Sequence, residues 1–174
     1  IKHTNPCGTA TSARLRDAYV KAYQADSVSA FRSVIGFNQA LDKATAEELS
    51  KLFVEAIVAP GFSSDALEIL TSKKNLRLLA VETTANEPVE TSYQLRRIWG
   101  GMLLQEADRA LMGTDRPVVT RRQPSDEELR DLVFAWRVVK HVKSNAIVVA
   151  RSGTTVGVGA GQMSRVDSVR ISIQ

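Results

Sequence analysis

The amino-acid sequence predicts a single layered α/β domain, and three observations support this prediction. Short apolar segments typical of buried strands alternate along the chain with amphipathic stretches of helical period. Glycine, proline and asparagine mark most of the boundaries between them. The 174 residues, 44% hydrophobic and 24% charged, suit one ordinary globular domain with a core of its own.

In the first half of the chain, strands and helices follow one another with short connections. Thr45 stands three residues before Glu48, which is the spacing of a capping box at a helix start. Pro60-Gly61 ends the predicted strand at 56–59. The predicted elements are a strand at 1–4, a turn at 5–8, a helix from Ser12 to about Ala25, a buried strand at 34–38, a helix from Thr45 to about Phe53, a strand at 56–59, a helix at 64–70 and a strand at 76–81.

The second half carries the clearest helix, which starts at Pro124-Ser125 with three acidic residues in its first turn. The polar stretch 82–91 before it is predicted to be a surface excursion. In the strand-like run 95–105, Gly100-Gly101 indicates a bulge or a close approach to the backbone. The helix from Ser125 is predicted to run to about Val142, followed by a hairpin of strands 146–150 and 155–158 and a last helix capped by Ser164 or Asp167.

Composition and charge exclude several classes of function. The formal charge of +4 is spread over scattered cations, which favours a solvated surface over a nucleic-acid track. The apolar runs are too short to span a bilayer, and no basic-then-apolar leader opens the chain. With Cys7 as its one cysteine, the chain forms no internal disulfide, so a reducing cytosol is expected. Because it opens on Ile1 and stops at Gln174 without a cap, we expect a piece of a longer chain.

The segment KHTNPCG (2–8) is the first that could carry chemistry. The unperturbed pKa of a histidine such as His3, roughly 6.5, suits proton transfer near neutrality. Lys2 beside it supplies a fixed positive charge for a developing oxyanion. On a strand the two side chains would point to opposite faces, but a turn beginning at Asn5 can bring both toward one pocket. The alternative is a lysine at a strand edge next to a hydrogen-bonded histidine.

Two later segments could bind a ligand. Asn145 lies where the strong helix gives way to a strand, and its amide can orient a carbonyl or an amine. Glycines 157, 159 and 161 suggest a backbone that comes close to a ligand. Arg165 could bind a phosphate or a carboxylate through two parallel N–H donors. Alternatively, Asn145 belongs to a loop and only hydrogen-bonds backbone groups, and the glycines only form a tight turn between a strand and a helix. The loop 26–33 shows no chemistry by itself.

The inventory of ligands and nucleophiles disfavours a metal site. The chain has two histidines, His3 and His141, and one cysteine, so a Cys/His zinc site cannot readily be completed. The deaminase signature P-C-x-x-C lacks its second cysteine after Pro6-Cys7, and no H-x-E is present. Cys7 could act as a nucleophile with His3. A small buried thiol is the simpler interpretation of Cys7.

Taken together and in order, these segments resemble the AICAR formyltransferase family, the formyltransferase domain of bifunctional purine-biosynthesis enzymes. The motifs that carry the resemblance are KHTNPCG (2–8), DSVSAF (26–31), VEAIVAP (54–60), RRQPSDEELRDLVFAW (121–136), KHVKSNAIVVA (140–150) and GAGQMSRVDS (159–168). The resemblance runs through the whole chain and implies that residues 1–174 are the first part of that domain. The remainder of the domain and the IMP cyclohydrolase domain of such enzymes would lie outside it.

The resemblance implies a function, a fold and partners. The implied reaction moves the formyl group of 10-formyltetrahydrofolate to the amine of aminoimidazole carboxamide ribotide (AICAR) in purine biosynthesis. The implied fold is a cytidine-deaminase-like three-layer α/β/α sandwich without zinc. A cytoplasmic homodimer with shared active sites is also implied, with the plastid as the location for a plant source. Some relatives carry a monovalent cation near Ser144.

Site residues follow from the resemblance position by position. Lys2 matches the lysine that stabilises the transition state, and His3 matches the proton acceptor. Asn145 matches an asparagine that contacts AICAR and the transferring formyl group. Arg165 matches an arginine at the nucleotide, and Val166 matches a main-chain contact to the folate.

The substrate-binding loop departs from the family at one point. Glu55 falls where relatives have an acidic residue that binds the AICAR base, and Phe31 lies beside a substrate-contacting glycine. Many relatives have Phe-Gly-Gly where this chain has Phe31-Arg32-Ser33. Since glycine admits a ligand that a β-carbon would obstruct, either the loop sits differently here or Arg32 adds a cation to the substrate pocket.

Three other interpretations remain open from the residues alone. The Gly-rich turn and Arg165 could hold a phosphate in a non-catalytic nucleotide-binding module. A metal-dependent relative of the deaminases would need ligands that the chain largely lacks. The chain taken by itself could also be only a structural fragment of an enzyme.

Overall fold

The computed structural model describes residues 1–82, 93–108, 113 and 117–174, which fall into two compact units. One unit comprises residues 1–82 and 118–174, and the other lies within 83–117. In chain order the described elements are α1 (Leu15–Ala25), β1 (Val34–Gly36), α2 (Lys43–Ser50), β2 (Ala56–Ala59), α3 (Ser64–Thr71), β3 (Arg77–Ala80), β4 (Tyr93–Ile98), β5 (Gly101–Glu106), α4 (Asp126–Val139), β6 (Ile147–Arg151), β7 (Thr154–Gly159) and α5 (Arg165–Ser172). The predicted α/β class is therefore confirmed.

Strands β1, β2 and β3 form a parallel sheet with β2 in the middle. Alternate residues of β2, Ile57 and Ala59, are buried in the main core, as expected for a strand with one covered face. That core is completed by residues of α1, α2 and α3 and their flanks: Tyr19, Leu41, Ala46, Leu49, Val54, Ala66 and Leu70. The prediction of a buried strand at 34–38 is wrong in part, since β1 is shorter and its Val34 is exposed.

The start of α2 corrects the predicted capping box. Asp42 is the N-cap, and its carboxylate accepts a hydrogen bond from the Thr45 backbone N–H at 2.8 Å. Thr45 itself lies fully buried in the first turn. Glu48 pairs with Arg16 at 2.7 Å instead of returning to the helix start. Aspartate and threonine both cap helices, so the residue types alone did not distinguish the two starts.

Strands β6 and β7 form an antiparallel hairpin that contacts α4 and α5. Its turn residues Ser152 and Gly153 have φ of 51° and 65°, and the Asp131 carboxylate of α4 accepts both of their backbone N–H groups at 2.7 and 2.8 Å. A β-carbon on Gly157 would overlap the carbonyl oxygen of Ser172, and one on Gly159 would meet that of Ser168. The absence of side chains at these two glycines lets α5 pack closely against β7. The prediction that they bring the backbone close to a ligand is therefore wrong.

The smaller unit contains the antiparallel hairpin of β4 and β5, in which Ile98 pairs with Gly101. Gly100 has a φ of 79° and lies in the turn of the hairpin, while Gly101 is the first residue of β5, so the pair does not mark a bulge. Apart from Glu82, the predicted surface excursion at 82–91 lies outside the described residues. None of the helices in the described ranges is long and apolar enough to cross a membrane.

Candidate active site

The segment 2–5 forms a tight turn in place of the predicted strand. The backbone N–H of Lys2 donates to the Asn5 carbonyl at 2.8 Å, and the N–H of Asn5 donates back to Lys2 at 2.9 Å. Between them, His3 and Thr4 have φ of 48° and 67°, the left-handed region required at both central positions of such a turn. For a β-branched residue such as Thr4 this conformation is an outlier, and strain of this kind concentrates at functional sites.

Lys2 is fixed by the loop that precedes β1. Its ammonium group donates to the carbonyl oxygens of Phe31 at 2.9 Å and Arg32 at 3.0 Å. An ammonium group has three N–H donors, so these contacts leave one for a ligand. Sequence positions about thirty residues apart are thereby joined at one side chain, as a shared site requires.

His3 presents its side chain to solvent. Its carbonyl oxygen accepts from the Thr4 hydroxyl at 2.6 Å and from the Asn5 side-chain amide at 3.4 Å. Within the part of the chain that the structure describes, no hydrogen bond reaches its imidazole ring. The ring is therefore available to a ligand, and the turn sets its position.

The Phe31–Arg32 loop lies against Glu55, which directly precedes β2. The Nε of Arg32 is 3.1 Å from Oε1 of Glu55, and Nη1 of Arg77 is 3.5 Å from Oε2. The rings of Phe31 and Phe53 pack at a centroid distance of 5.9 Å, and Phe31 keeps about half of its surface exposed. Three predicted substrate residues, Phe31, Arg32 and Glu55, are thus brought together.

Asn145 belongs to a second group of residues, at the junction before β6. Its side-chain amide donates to the carbonyl oxygens of Gln162 at 2.9 Å and Met163 at 3.0 Å. The Ser168 hydroxyl of α5 donates to the Asn145 backbone carbonyl at 2.8 Å. Both amide hydrogens are used in this way, so the side-chain oxygen of Asn145 is the atom left to contact a ligand. Asn145 therefore connects the segment before β6 to Gln162 and Met163, which precede α5, and to Ser168 within α5.

Arg165 and Val166 are the first two residues of α5, and both are exposed. Within the described ranges no ion pair involves Arg165. Ser164, one of the two predicted caps, occupies the N-cap position, but its side chain makes no capping hydrogen bond. Among the described residues, then, no carboxylate pairs with the Arg165 guanidinium, and Arg165 follows two positions after Met163, whose carbonyl accepts from Asn145.

Asn5, which was not among the predicted site residues, joins the two groups of residues. Its side-chain oxygen accepts the backbone N–H of Lys143 at 3.0 Å, across 138 positions of sequence. The Lys143 carbonyl in turn accepts the N–H of Gly161 at 2.7 Å. The contacts run from Phe31 and Arg32 through Lys2 and Asn5 to Lys143 and Gly161. An asparagine before a proline in a turn was the signal available in the sequence.

No cluster of histidine, cysteine, aspartate or glutamate that could hold a metal ion occurs among the described residues. Cys7 is a half-buried free thiol. Across the two groups of residues, which are linked through Asn5, the polar groups are an ammonium, two guanidinium groups, a carboxylate, an amide and an imidazole. Such groups can stabilise an oxyanion, move a proton and orient an N–H donor.

The family model and the curated relatives that match the chain indicate the same family. The family model described as "AICARFT/IMPCHase bienzyme" matches residues 1–174. The chain is 51% identical over 173 residues to the bifunctional purine biosynthesis protein PurH of Roseobacter denitrificans, covering 99% of this chain and 33% of that protein. It is also 51% identical to the PurH proteins of Bacillus mycoides and Nostoc punctiforme, covering 34% of each. The chain spans about a third of the length of these relatives, and it belongs to the AICARFT/IMPCHase bienzyme family.

Proposed function

We propose that the protein transfers the formyl group of 10-formyltetrahydrofolate to the amine of AICAR. The observation that supports this most is the position of Lys2 and His3. They lie in a strained turn that hydrogen bonds hold both to the Phe31–Arg32 loop and, through Asn5, to the Asn145 junction. The matching family is that of purine-biosynthesis bienzymes.

The chemistry accounts for these residue types. The AICAR amine is a poor nucleophile because its lone pair is delocalised into the imidazole and carboxamide. Attack forms a bond from the amine nitrogen to the formyl carbon, and collapse of the tetrahedral intermediate breaks the bond to N10 of the folate. His3 takes the amine proton, and the remaining N–H of Lys2 stabilises the oxyanion. The departing N10 takes up a proton, so the transfer is balanced without an oxidant or reductant.

The other site residues serve binding in this proposal. The Glu55 carboxylate accepts N–H groups of the AICAR base beside Phe31. The Arg165 guanidinium binds the nucleotide phosphate through charge-assisted hydrogen bonds. The side-chain oxygen of Asn145 accepts a hydrogen bond from the reacting amine and orients it. The backbone of Val166, in the first turn of α5, contacts the folate. Holding both molecules in one geometry supplies much of the remaining acceleration.

The proposal extends to the architecture of the whole enzyme. Residues 1–174 form the first part of a formyltransferase domain with a cytidine-deaminase-like α/β/α sandwich. The enzyme is a cytoplasmic homodimer whose subunits share active sites, and a further domain carries IMP cyclohydrolase activity. Size-exclusion chromatography with light scattering of the full-length protein tests the dimer.

A formyl-transfer assay tests the function directly. The full-length protein is mixed with AICAR and 10-formyltetrahydrofolate, and formation of formyl-AICAR and tetrahydrofolate is measured together. We expect both products in equal amounts, and a large loss of turnover in Lys2→Ala with AICAR still bound. Binding of AICAR by the wild-type protein without any transfer would replace the proposal with a non-catalytic nucleotide-binding role.

A further inference from the structure

The carboxylate assigned to the substrate base already has a cation on it. Nε of Arg32 lies 3.1 Å from Oε1 of Glu55, while Nη1 of Arg77 lies 3.5 Å from Oε2. The Glu55 side chain is 35% exposed and that of Arg32 is 61% exposed. The oxygen to which a substrate N–H would donate therefore already accepts a hydrogen bond from the Arg32 guanidinium.

The backbone of Arg32 is held independently of its charge. Its N–H donates to the Phe53 carbonyl at 2.9 Å, and its own carbonyl accepts from the Lys2 ammonium at 3.0 Å. Its φ of 55° lies in the region that favours glycine. A glycine could make the same two backbone contacts without strain. The side chain is therefore a separate feature, which adds a positive charge where the loop geometry does not need one.

The guanidinium of Arg32 has a defined resting position. Its Cζ lies 5.7 Å from the centroid of the Phe53 ring, within the range of a cation–π contact. The ring and the Glu55 carboxylate together hold the group over the acceptor oxygen. Both contacts are solvent-exposed, so each contributes little and an incoming ligand can displace them.

We propose that Arg32 is an internal counter-ion that competes with the substrate for Glu55. The ligand it excludes is a neutral N–H donor, the amine or carboxamide of the AICAR base, so this inference rests on the proposed function. Binding requires the guanidinium to leave Oε1. Because an exposed ion pair contributes little, we expect the competition to lower AICAR affinity by roughly 1.5- to 5-fold.

Removing the charge tests the competition. Dissociation constants of the full-length wild-type protein and of Arg32→Gln are measured for AICAR and for its nucleoside, which lacks the phosphate. We expect Arg32→Gln to bind both ligands about 1.5- to 5-fold more tightly. Arg77→Gln is the matched control, since it removes the other guanidinium at the longer distance, and its effect should be smaller. In a Glu55→Gln background the effect of Arg32→Gln should disappear.

Arg32→Gly is a second variant that separates charge from backbone strain. It should bind AICAR as tightly as Arg32→Gln, and it alone should raise the thermal midpoint, because glycine adopts the positive φ freely. Weaker binding by both variants would make Arg32 a substrate contact and overturn the proposal. Unchanged binding, or tighter binding of AICAR but not of the nucleoside, would overturn it as well.

The outcome for the wild-type protein separates this inference from the proposed function. If the wild-type protein binds and formylates AICAR while neither Arg32 variant binds it more tightly, only the counter-ion inference fails. If the wild-type protein neither binds AICAR nor transfers a formyl group, the proposed function fails, and the inference fails with it.

Discussion

Asn5→Ala is the change that most directly probes how the Lys2–Asn5 turn is positioned. The substitution removes the acceptor of the Lys143 N–H, a hydrogen bond of 3.0 Å. A bond of this kind contributes about 0.5–1.5 kcal/mol net to stability. The second contact of the side chain, to the His3 carbonyl, is 3.4 Å long and adds little. We therefore expect the free energy of unfolding to fall by about 1 kcal/mol.

The expected loss of turnover in Asn5→Ala is larger than this loss of stability. Without the link, the strained turn that carries His3 can shift relative to the Asn145 junction. A displacement of about 1 Å in a reacting group can cost on the order of 100-fold in rate. We expect kcat of the full-length protein to fall by roughly 10- to 100-fold, with a much smaller change in KM for AICAR.

Two variants control this experiment. Asn5→Asp keeps an acceptor for the Lys143 N–H and should recover most of the lost turnover. Thr4→Ala removes the hydroxyl that donates to the His3 carbonyl at 2.6 Å but leaves the link intact, so its effect should be small. Steady-state kinetics and urea unfolding of all three variants give the comparison. If Asn5→Ala lost about 1 kcal/mol of stability and kept its turnover, the Asn5–Lys143 link would not position His3 for the reaction.

Three further predictions concern the fold, the pH dependence and the isolated chain. Gly159→Ala should destabilise by about 1–3 kcal/mol in urea unfolding, because its β-carbon meets the Ser168 carbonyl; Gly36→Ala, where a β-carbon meets open space, should cost far less. The Arg122 side chain and a backbone N–H lower the pKa of Glu128 to about 2. The stability contributed by its charge is therefore present above the ordinary carboxyl pKa and is lost as pH falls toward about 2. Thermal melts should show Glu128→Gln costing stability near neutral pH and progressively less below pH 4.5, and a constant cost would contradict this. The 174-residue chain assayed by itself should give no folate-dependent formylation above a blank without protein, since it spans about a third of its relatives' length; measurable transfer would show that its own residues suffice.

Local signals in the sequence predicted much of the fold. The strand at 56–59 agrees with β2, and the helix from Ser125 begins with the observed capping box to Glu128. These elements depend on nearby residues, such as Pro60-Gly61 after the strand and the acidic first turn of the helix. The exposure of Val34 could not be predicted in this way, because it depends on which face of the sheet is covered.

The site was predicted less completely than the fold. The resemblance selected Lys2 and Asn145, and the structure adds the contacts that fix each of them. The turn at His3 was missed because its positive φ is imposed by hydrogen bonds and not by residue type. Asn5 was missed because its partner Lys143 lies 138 positions away, and no local pattern encodes that contact.

If His3 is the proton acceptor for formyl transfer, its replacement should slow the chemical step and leave substrate binding in place. Single-turnover transfer and AICAR binding are measured for full-length wild type, for His3→Ala and for His141→Ala, which removes the other histidine of the chain. We expect His3→Ala to slow transfer by roughly 10²- to 10⁴-fold with AICAR affinity nearly unchanged, while His141→Ala transfers normally. Nearly normal transfer by His3→Ala would show that another group takes the amine proton.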